Sequence, residues 1–109
     1  MPEDFYCQEV LSGRTQVSVV FETASVLAFH HTRPFWPVHI VVIPKRHIDS
    51  LLSLTAEDDS LLLELIDGIK TVARKVVSEN GACRVLTNTG KYQDSKHLHW
   101  HVIYGEEIR

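Results

Sequence analysis

The sequence is poor in the residues that build disulfide frameworks and redox motifs. It has two cysteines in 109 residues, Cys7 and Cys83, and they lie too far apart to form a Cys-x-x-Cys pair. We therefore expect reduced thiols rather than the bridged cysteines of a small secreted domain. Redox chemistry has no support in this pattern.

Long apolar runs and an excess of one charge are also missing. The start Met1-Pro2-Glu3-Asp4 is acidic and no long apolar stretch follows it, so we expect neither a secretory signal nor a membrane span, and a cytoplasmic location. The formal net charge is −3, with acids and bases mixed along the chain, which argues against a broad surface for nucleic acid. Any anionic ligand must then be bound locally.

The length and the hydrophobic pattern predict one small α+β domain over residues 1–109. A chain of this size with 44% hydrophobic residues can enclose one core. Alternating and β-branched segments predict five strands, over residues 16–22, 26–29, 38–43, 83–87 and 98–104, the first two forming a hairpin. We expect a five-stranded, mainly antiparallel sheet crossed by one long helix.

One long helix and one short helix complete the predicted fold. Thr55 and Asp58 resemble a capping box at the start of the long helix, and Asn80-Gly81 is typical of its end. Between them runs one apolar stripe, formed by Leu62, Leu65, Ile66, Ile69, Val72, Ala73 and Val76. A weaker pattern predicts a short N-terminal helix over residues 5–11.

The segment His97-Leu98-His99-Trp100-His101 carries three imidazoles at two-residue spacing. Successive side chains of a β-strand point to opposite faces, so the three rings are predicted to share one strand face. A neutral imidazole with a pKa near ~6.5 is a nucleophile and proton carrier at neutral pH, and its neighbour can donate to anionic oxygens. Its attack on phosphorus makes a labile P–N bond, which divides one hard hydrolysis into two easier steps.

These histidines and the residues after them resemble the signature of the histidine triad (HIT) family of nucleotide hydrolases and transferases, and match it at every position. Ala28-Phe29-His30, the segment from Pro44 to Ile48, and Asn88 with Gly90 follow in the family's order, from about residue 13 to 103. The resemblance implies a phosphoramidase-like hydrolase that forms a covalent nucleotidyl-histidine from adenosine monophosphate derivatives or similar small nucleotides, with no cofactor or metal.

The resemblance also implies roles for individual residues. His99 is the nucleophile that attacks the α-phosphorus, and His101 hydrogen-bonds a non-bridging phosphate oxygen. His97 orients the ring of His99, and His47 completes a buried histidine relay. The implied substrate-binding residues are Phe29 against the base, Asn88 in the pocket, Gln93 on the phosphate side, and His31 and Ser95.

Two positions depart from the family pattern. After Ala28-Phe29-His30 the family usually places an acidic residue that accepts hydrogen bonds from both ribose hydroxyls, whereas His31 stands here and a neutral imidazole accepts only one. Near the phosphate, Asp94 follows Gln93 where a hydroxyl side chain is common, and an ionised carboxylate repels phosphate. Ser95 and Lys96 are alternative donors.

Two other classes of function stay open. His-x-His on a strand can chelate zinc or iron when the rings turn toward one ion. A nucleotide-binding or scaffold module with weakened catalysis is the other class, and the changed residues His31 and Asp94 agree with it. His39, on the third predicted strand, matches no motif and is interpreted as structural.

The resemblance finally implies a homodimer, in which the long helix and a neighbouring strand meet their twofold mates. The apolar band of the helix is wide enough to agree with this, because it extends beyond one core-facing stripe. Its residues are Leu61, Leu62, Leu63, Leu65 and Ile66.

Overall fold

The structure, a computed structural model, describes Tyr6 and residues 10–108, which form one α+β domain. The strands are β1 (Val19–Glu22), β2 (Val26–His30), β3 (Val38–Pro44), β4 (Arg84–Thr87) and β5 (Trp100–Tyr104), and the long helix is α1 (Asp59–Asn80). They form an antiparallel sheet in the order β1-β2-β3-β5-β4. The predicted sheet and long helix are confirmed. The helix predicted over residues 5–11 lies mostly outside the described residues.

The two faces of the sheet pack against different parts of the chain. On one face, alternate residues of β3 and β5, among them Ile40, Val42 and Trp100, pack against the buried side of α1. On the other face, Phe29 and Val41 pack with Tyr6, Val10, Leu27 and Ile43. In the part of the chain that the structure describes, no helix combines the length and apolar character needed to cross a membrane.

Helix α1 follows a capped turn and ends at a glycine. The Thr55 N–H donates to Asp58, and the Thr55 hydroxyl accepts from the Glu57 N–H, so the predicted capping box is present on a 3₁₀ turn that leads into α1. At the other end Gly81 adopts a left-handed φ of 93° and its N–H donates to the carbonyl of Val77. The predicted end of α1 is confirmed, and the predicted capping box lies one 3₁₀ turn before the first residue of α1, Asp59.

The buried stripe of α1 is narrower than predicted. Leu65, Ile69, Val72 and Val76 are buried, whereas Ile66 is 41% exposed. The helix lies close to the sheet at Gly68, where an added Cβ would lie 3.2 Å from Cγ1 of Val26 and 3.3 Å from Cε2 of Phe21. This close approach fixes which side of the helix faces the sheet, and Ile66, two residues from Gly68, lies on the other side of the helix.

Two strands begin later than predicted. Strand β1 begins at Val19 rather than residue 16, and its pairing with β2 shifts register between Val19 and Phe21. Strand β5 begins at Trp100, so His97 and His99 lie before it, whereas the sequence predicted one strand that carries all three histidines. The reason is that the Leu98 N–H donates to the carbonyl of Ile48, 2.6 Å away and outside the sheet.

Candidate active site

A cavity of about 410 Å³ lies on the face of the sheet opposite α1. Six of the predicted site residues line it, namely Phe29, His31, Asn88, Ser95, His99 and His101. Further lining residues are Tyr6, Arg33, Trp36, His39 and Asp94. The strands therefore bring together residues that are far apart in sequence.

The register of the sheet places the central part of this lining. Phe29 of β2 pairs with Val41 of β3, which pairs with His101 of β5, which in turn pairs with Leu86 of β4. Paired residues share a face, and so do residues two apart on one strand. His39, two residues before Val41, therefore lies on the same face as His101.

The protonation of His99 follows from its backbone partner. Nδ1 of His99 lies 2.7 Å from the carbonyl oxygen of His97. A carbonyl only accepts, so Nδ1 carries the proton and Nε2 of the neutral ring has a lone pair. Burial lowers the pKa of His99 below its usual value, which keeps the ring neutral at pH 7. His99 thus presents the form of imidazole that acts as a nucleophile.

The proton of His101 is placed by a chain of two hydrogen bonds. The Phe35 N–H donates to Nδ1 of His39 at 3.1 Å, so the proton of His39 is on Nε2. That Nε2 lies 2.7 Å from Nδ1 of His101 and donates to it, which puts the His101 proton on Nε2. Burial, with the neighbouring imidazoles, lowers the pKa of each of these two rings to about 3. His101 is therefore a neutral donor whose ring centre is 4.9 Å from that of His99.

His97 contacts His99, and His47 in turn contacts His97. His97 is fully buried; its Nε2 donates to the Pro44 carbonyl at 2.7 Å, and its own carbonyl accepts from His99. His47 stands edge-on to His97 at 5.4 Å but is exposed, with Nε2 2.6 Å from the Asp49 carboxylate. The prediction that His47 is buried is wrong, because the neighbouring Ile48 enters the core instead.

The loop before β5 places only two of its three predicted site residues in the described lining of the cavity. Asn88 and Ser95 line the cavity, and so does Asp94. Gln93 does not belong to the described lining; it is buried, and its amide donates to the Asp49 carbonyl at 2.6 Å. In place of the predicted side-chain contact with phosphate, Gln93 holds this loop against the segment that follows β3.

Eight of the described lining residues are not among the predicted site residues, and two of these, Tyr6 and His39, contact histidines of the triad. The interpretation of His39 as merely structural is incomplete, because it contacts His101 and lines the cavity. The alternation of side chains along β3 places His39 on the same face as the cavity, and this alternation could be recognised in the sequence. Tyr6 packs on His99 with ring centres 4.9 Å apart, and burial raises the pKa of its hydroxyl. No local pattern predicts that contact, since it depends on how the chain folds back.

The three imidazoles of the triad are directed at different neighbours. His97 bonds to Pro44, His99 to the carbonyl of His97, and His101 to His39. Among Tyr6 and residues 10–108, no three His, Cys, Asp or Glu side chains are grouped so that they could hold a metal ion. The divergent ring nitrogens disfavour the convergent geometry that a zinc site requires.

Comparison with known proteins identifies the family to which this chain belongs. The family model of the HIT domain matches residues 12–108, and the chain belongs to the HIT domain family. An uncharacterized HIT-like protein of Synechococcus elongatus is 36% identical over 110 residues, which cover 99% of this chain and 96% of that protein.

Solved structures agree with this membership. A HIT family hydrolase from Legionella pneumophila Philadelphia 1 superposes with a TM-score of 0.82 at 28% identity, covering 97% of this chain and 96% of that one. A histidine triad protein from Clostridium difficile gives a TM-score of 0.81 at 30% identity, covering 97% of this chain and 93% of that one. The predicted family and fold are confirmed.

Proposed function

We propose that this chain is a nucleotide hydrolase or nucleotidyl transferase that acts on the α-phosphate of a small phosphoramidate or phosphoanhydride through a nucleotidyl-His99 intermediate. The observation that carries the proposal is a pair of hydrogen bonds at one cavity, from His99 Nδ1 to the His97 carbonyl and between His39 and Nδ1 of His101. They leave a lone pair on Nε2 of His99 and an Nε2–H donor on His101. Membership in the HIT family supports the nucleotide class.

The reaction has two steps. In the first, Nε2 of His99 attacks the α-phosphorus; a P–N bond forms and the leaving group departs with the electron pair of its bond to phosphorus. The bond from Nδ1 to the His97 carbonyl stabilises the positive ring, and His101 donates to a non-bridging oxygen where negative charge develops. The leaving group takes up a proton from solvent as it departs. In the second step water attacks phosphorus, the P–N bond breaks, the proton lost by that water passes to solvent, and neutral His99 is restored.

The remaining lining residues hold the substrate in this proposal. Phe29 and Leu86 provide an apolar wall against which the base packs, and Asn88 and Ser95 provide polar groups at the phosphate side. Asp94 also lines the cavity, and its charge opposes the lowering of the His99 pKa. A carboxylate there favours a leaving group that is neutral or cationic, such as an amine, over an anionic one.

Trapping the intermediate tests the proposal. The protein is mixed with adenosine 5′-phosphoramidate, dinucleoside polyphosphates and other nucleotides, quenched at alkaline pH because protonation breaks the P–N bond, and analysed by mass spectrometry. We expect the mass of one nucleoside monophosphate on the peptide that contains His99. Nucleotide binding with no adduct from any compound would contradict the proposal and favour the binding module with weakened catalysis.

We also propose that two copies associate, as the family resemblance implies. Strand β4 is an edge of the sheet, and its Val85 is 44% exposed. Helix α1 also has exposed apolar side chains, at Leu63, Ile66 and Val77. Sedimentation velocity at micromolar concentration is expected to give twice the chain mass, and Val85→Asp to shift it toward the monomer. Val19→Asp, at the opposite edge of the sheet, is the matched control. A stable wild-type monomer would contradict the proposal.

A further inference from the structure

One end of the cavity carries a basic pair, His31 and Arg33, that the proposed reaction does not use. His31 follows β2, its N–H donates to the carbonyl of His39, and its ring stacks on the His39 ring at 4.2 Å. The rings of His39 and His101 are 4.9 Å apart, as are those of His101 and His99. The four imidazoles thus form a row, with His99 at one end and His31, beside Arg33, at the other.

The hydrogen-bonding character of His31 follows from its neighbour in sequence. The backbone N–H of Arg33 donates to Nδ1 of His31 at 2.9 Å. Since Nδ1 accepts, the ring proton is on Nε2, which can only donate. The Arg33 guanidinium likewise has donors and no acceptor, and it is always charged. Both side chains therefore complement an acceptor group, and most strongly an anion.

The charges of the lining are separated along the cavity. Asp94 is the acidic residue among the described lining, and it acts on Tyr6 and His99, at the nucleophile's end. His31 instead neighbours His39 and His101, with the ring centres of His31 and His101 6.3 Å apart. No carboxylate of the described lining therefore offsets Arg33 locally.

We infer that His31 and Arg33 form a subsite for a second anionic group, and that the preferred ligand is a nucleotide with an additional phosphate on its sugar. This inference rests on the proposed function, because it takes the α-phosphate to lie at His99. In a 2′,5′- or 3′,5′-bisphosphate the sugar alone separates the two phosphates. His101 lies between the two ends of the cavity, with its ring centre 4.9 Å from that of His99 and 6.3 Å from that of His31. Both phosphates can then contact donors at the same time.

Binding measurements test the subsite without requiring turnover. Isothermal titration calorimetry compares adenosine 5′-monophosphate with adenosine 2′,5′- and 3′,5′-bisphosphate. We expect at least one bisphosphate to bind about tenfold more tightly than the monophosphate, since charge-assisted hydrogen bonds contribute on this scale. Arg33→Gln is expected to remove most of that gain, and Arg33→Lys to retain part of it. Arg74→Gln removes the same charge from an exposed position on α1 and should keep the gain.

The possible results separate this inference from the reaction on which it rests. Equal affinities for the three nucleotides, or a gain that survives Arg33→Gln, would overturn the subsite even if an adduct forms on His99. A bisphosphate preference that Arg33→Gln removes supports the subsite, even if no nucleotide forms an adduct and the covalent mechanism fails. Absence of binding by all three nucleotides would overturn both. His31→Phe, which keeps a ring against His39 but removes the Nε2–H donor, is expected to reduce the gain as well.

Discussion

Replacement of His99 by alanine is expected to abolish adduct formation and to lower kcat/KM for nucleotide substrates by about 10⁴-fold or more. The physical reason is that the bond from Nδ1 to the His97 carbonyl makes Nε2 of His99 the nucleophilic atom at the cavity. The measurement is steady-state turnover of adenosine 5′-phosphoramidate together with the intact mass of the protein. His30→Ala removes an exposed histidine at the end of β2 and should leave both readouts near their wild-type values.

The proposed role of His99 also predicts the pH dependence of the wild-type protein's activity. Burial lowers the pKa of His99 from its usual value of 6.5, so the neutral, nucleophilic form persists as the pH falls below 6.5. Activity is lost only as the pH passes through the lowered pKa. The acid limb of kcat/KM is therefore expected below pH 6.5. An acid limb centred at or above pH 6.5, or turnover retained in His99→Ala, would contradict the role.

Replacement of His101 by phenylalanine is expected to lower kcat by about 10²–10³-fold, the usual effect of losing one donor to a developing oxyanion. Phenylalanine keeps a ring between Val41 and Leu86, the partners of His101 on the neighbouring strands, so the sheet stays packed. It lacks the Nε2–H. Because that bond strengthens as charge develops on the phosphate oxygen, kcat should fall more than KM rises.

A neighbouring variant separates the donor from the packing. His39→Phe leaves the His101 donor in place but removes the hydrogen bond that puts the proton of His101 on Nε2. We expect a smaller loss of kcat than in His101→Phe, because His101 can still adopt the correct tautomer for part of the time. Equal losses in the two variants would indicate disturbed packing and contradict the donor role.

The parts of the fold that follow local rules were predictable from the sequence. The capping box at Thr55 and the left-handed Gly81 define the long helix, and alternation and β-branching locate the strands. The start of β5 was not predictable in this way. Its ladder stops at Trp100 because the Leu98 N–H bonds to Ile48, a residue close only in the folded chain.

The candidate site was likewise predictable only where local spacing determines it. Spacing alone drew attention to His97, His99 and His101, but not to the partners that place their protons. His39 donates to His101 because strand pairing places the two rings on one face of the sheet. His47 is exposed because its neighbour Ile48 enters the core instead. Both contacts depend on packing between segments that are distant in sequence, and a local residue pattern does not contain that information.

The two tryptophans of this chain occupy opposite faces of the sheet, and this separation gives the protein two independent optical reporters. Trp100 is buried between the sheet and α1, so its fluorescence follows the opening of the core. Trp36 is half-buried at the cavity, edge-on to His39 with ring centres 5.1 Å apart. In a Trp100→Phe background the emission of Trp36 alone would follow a ligand entering the cavity, without a label.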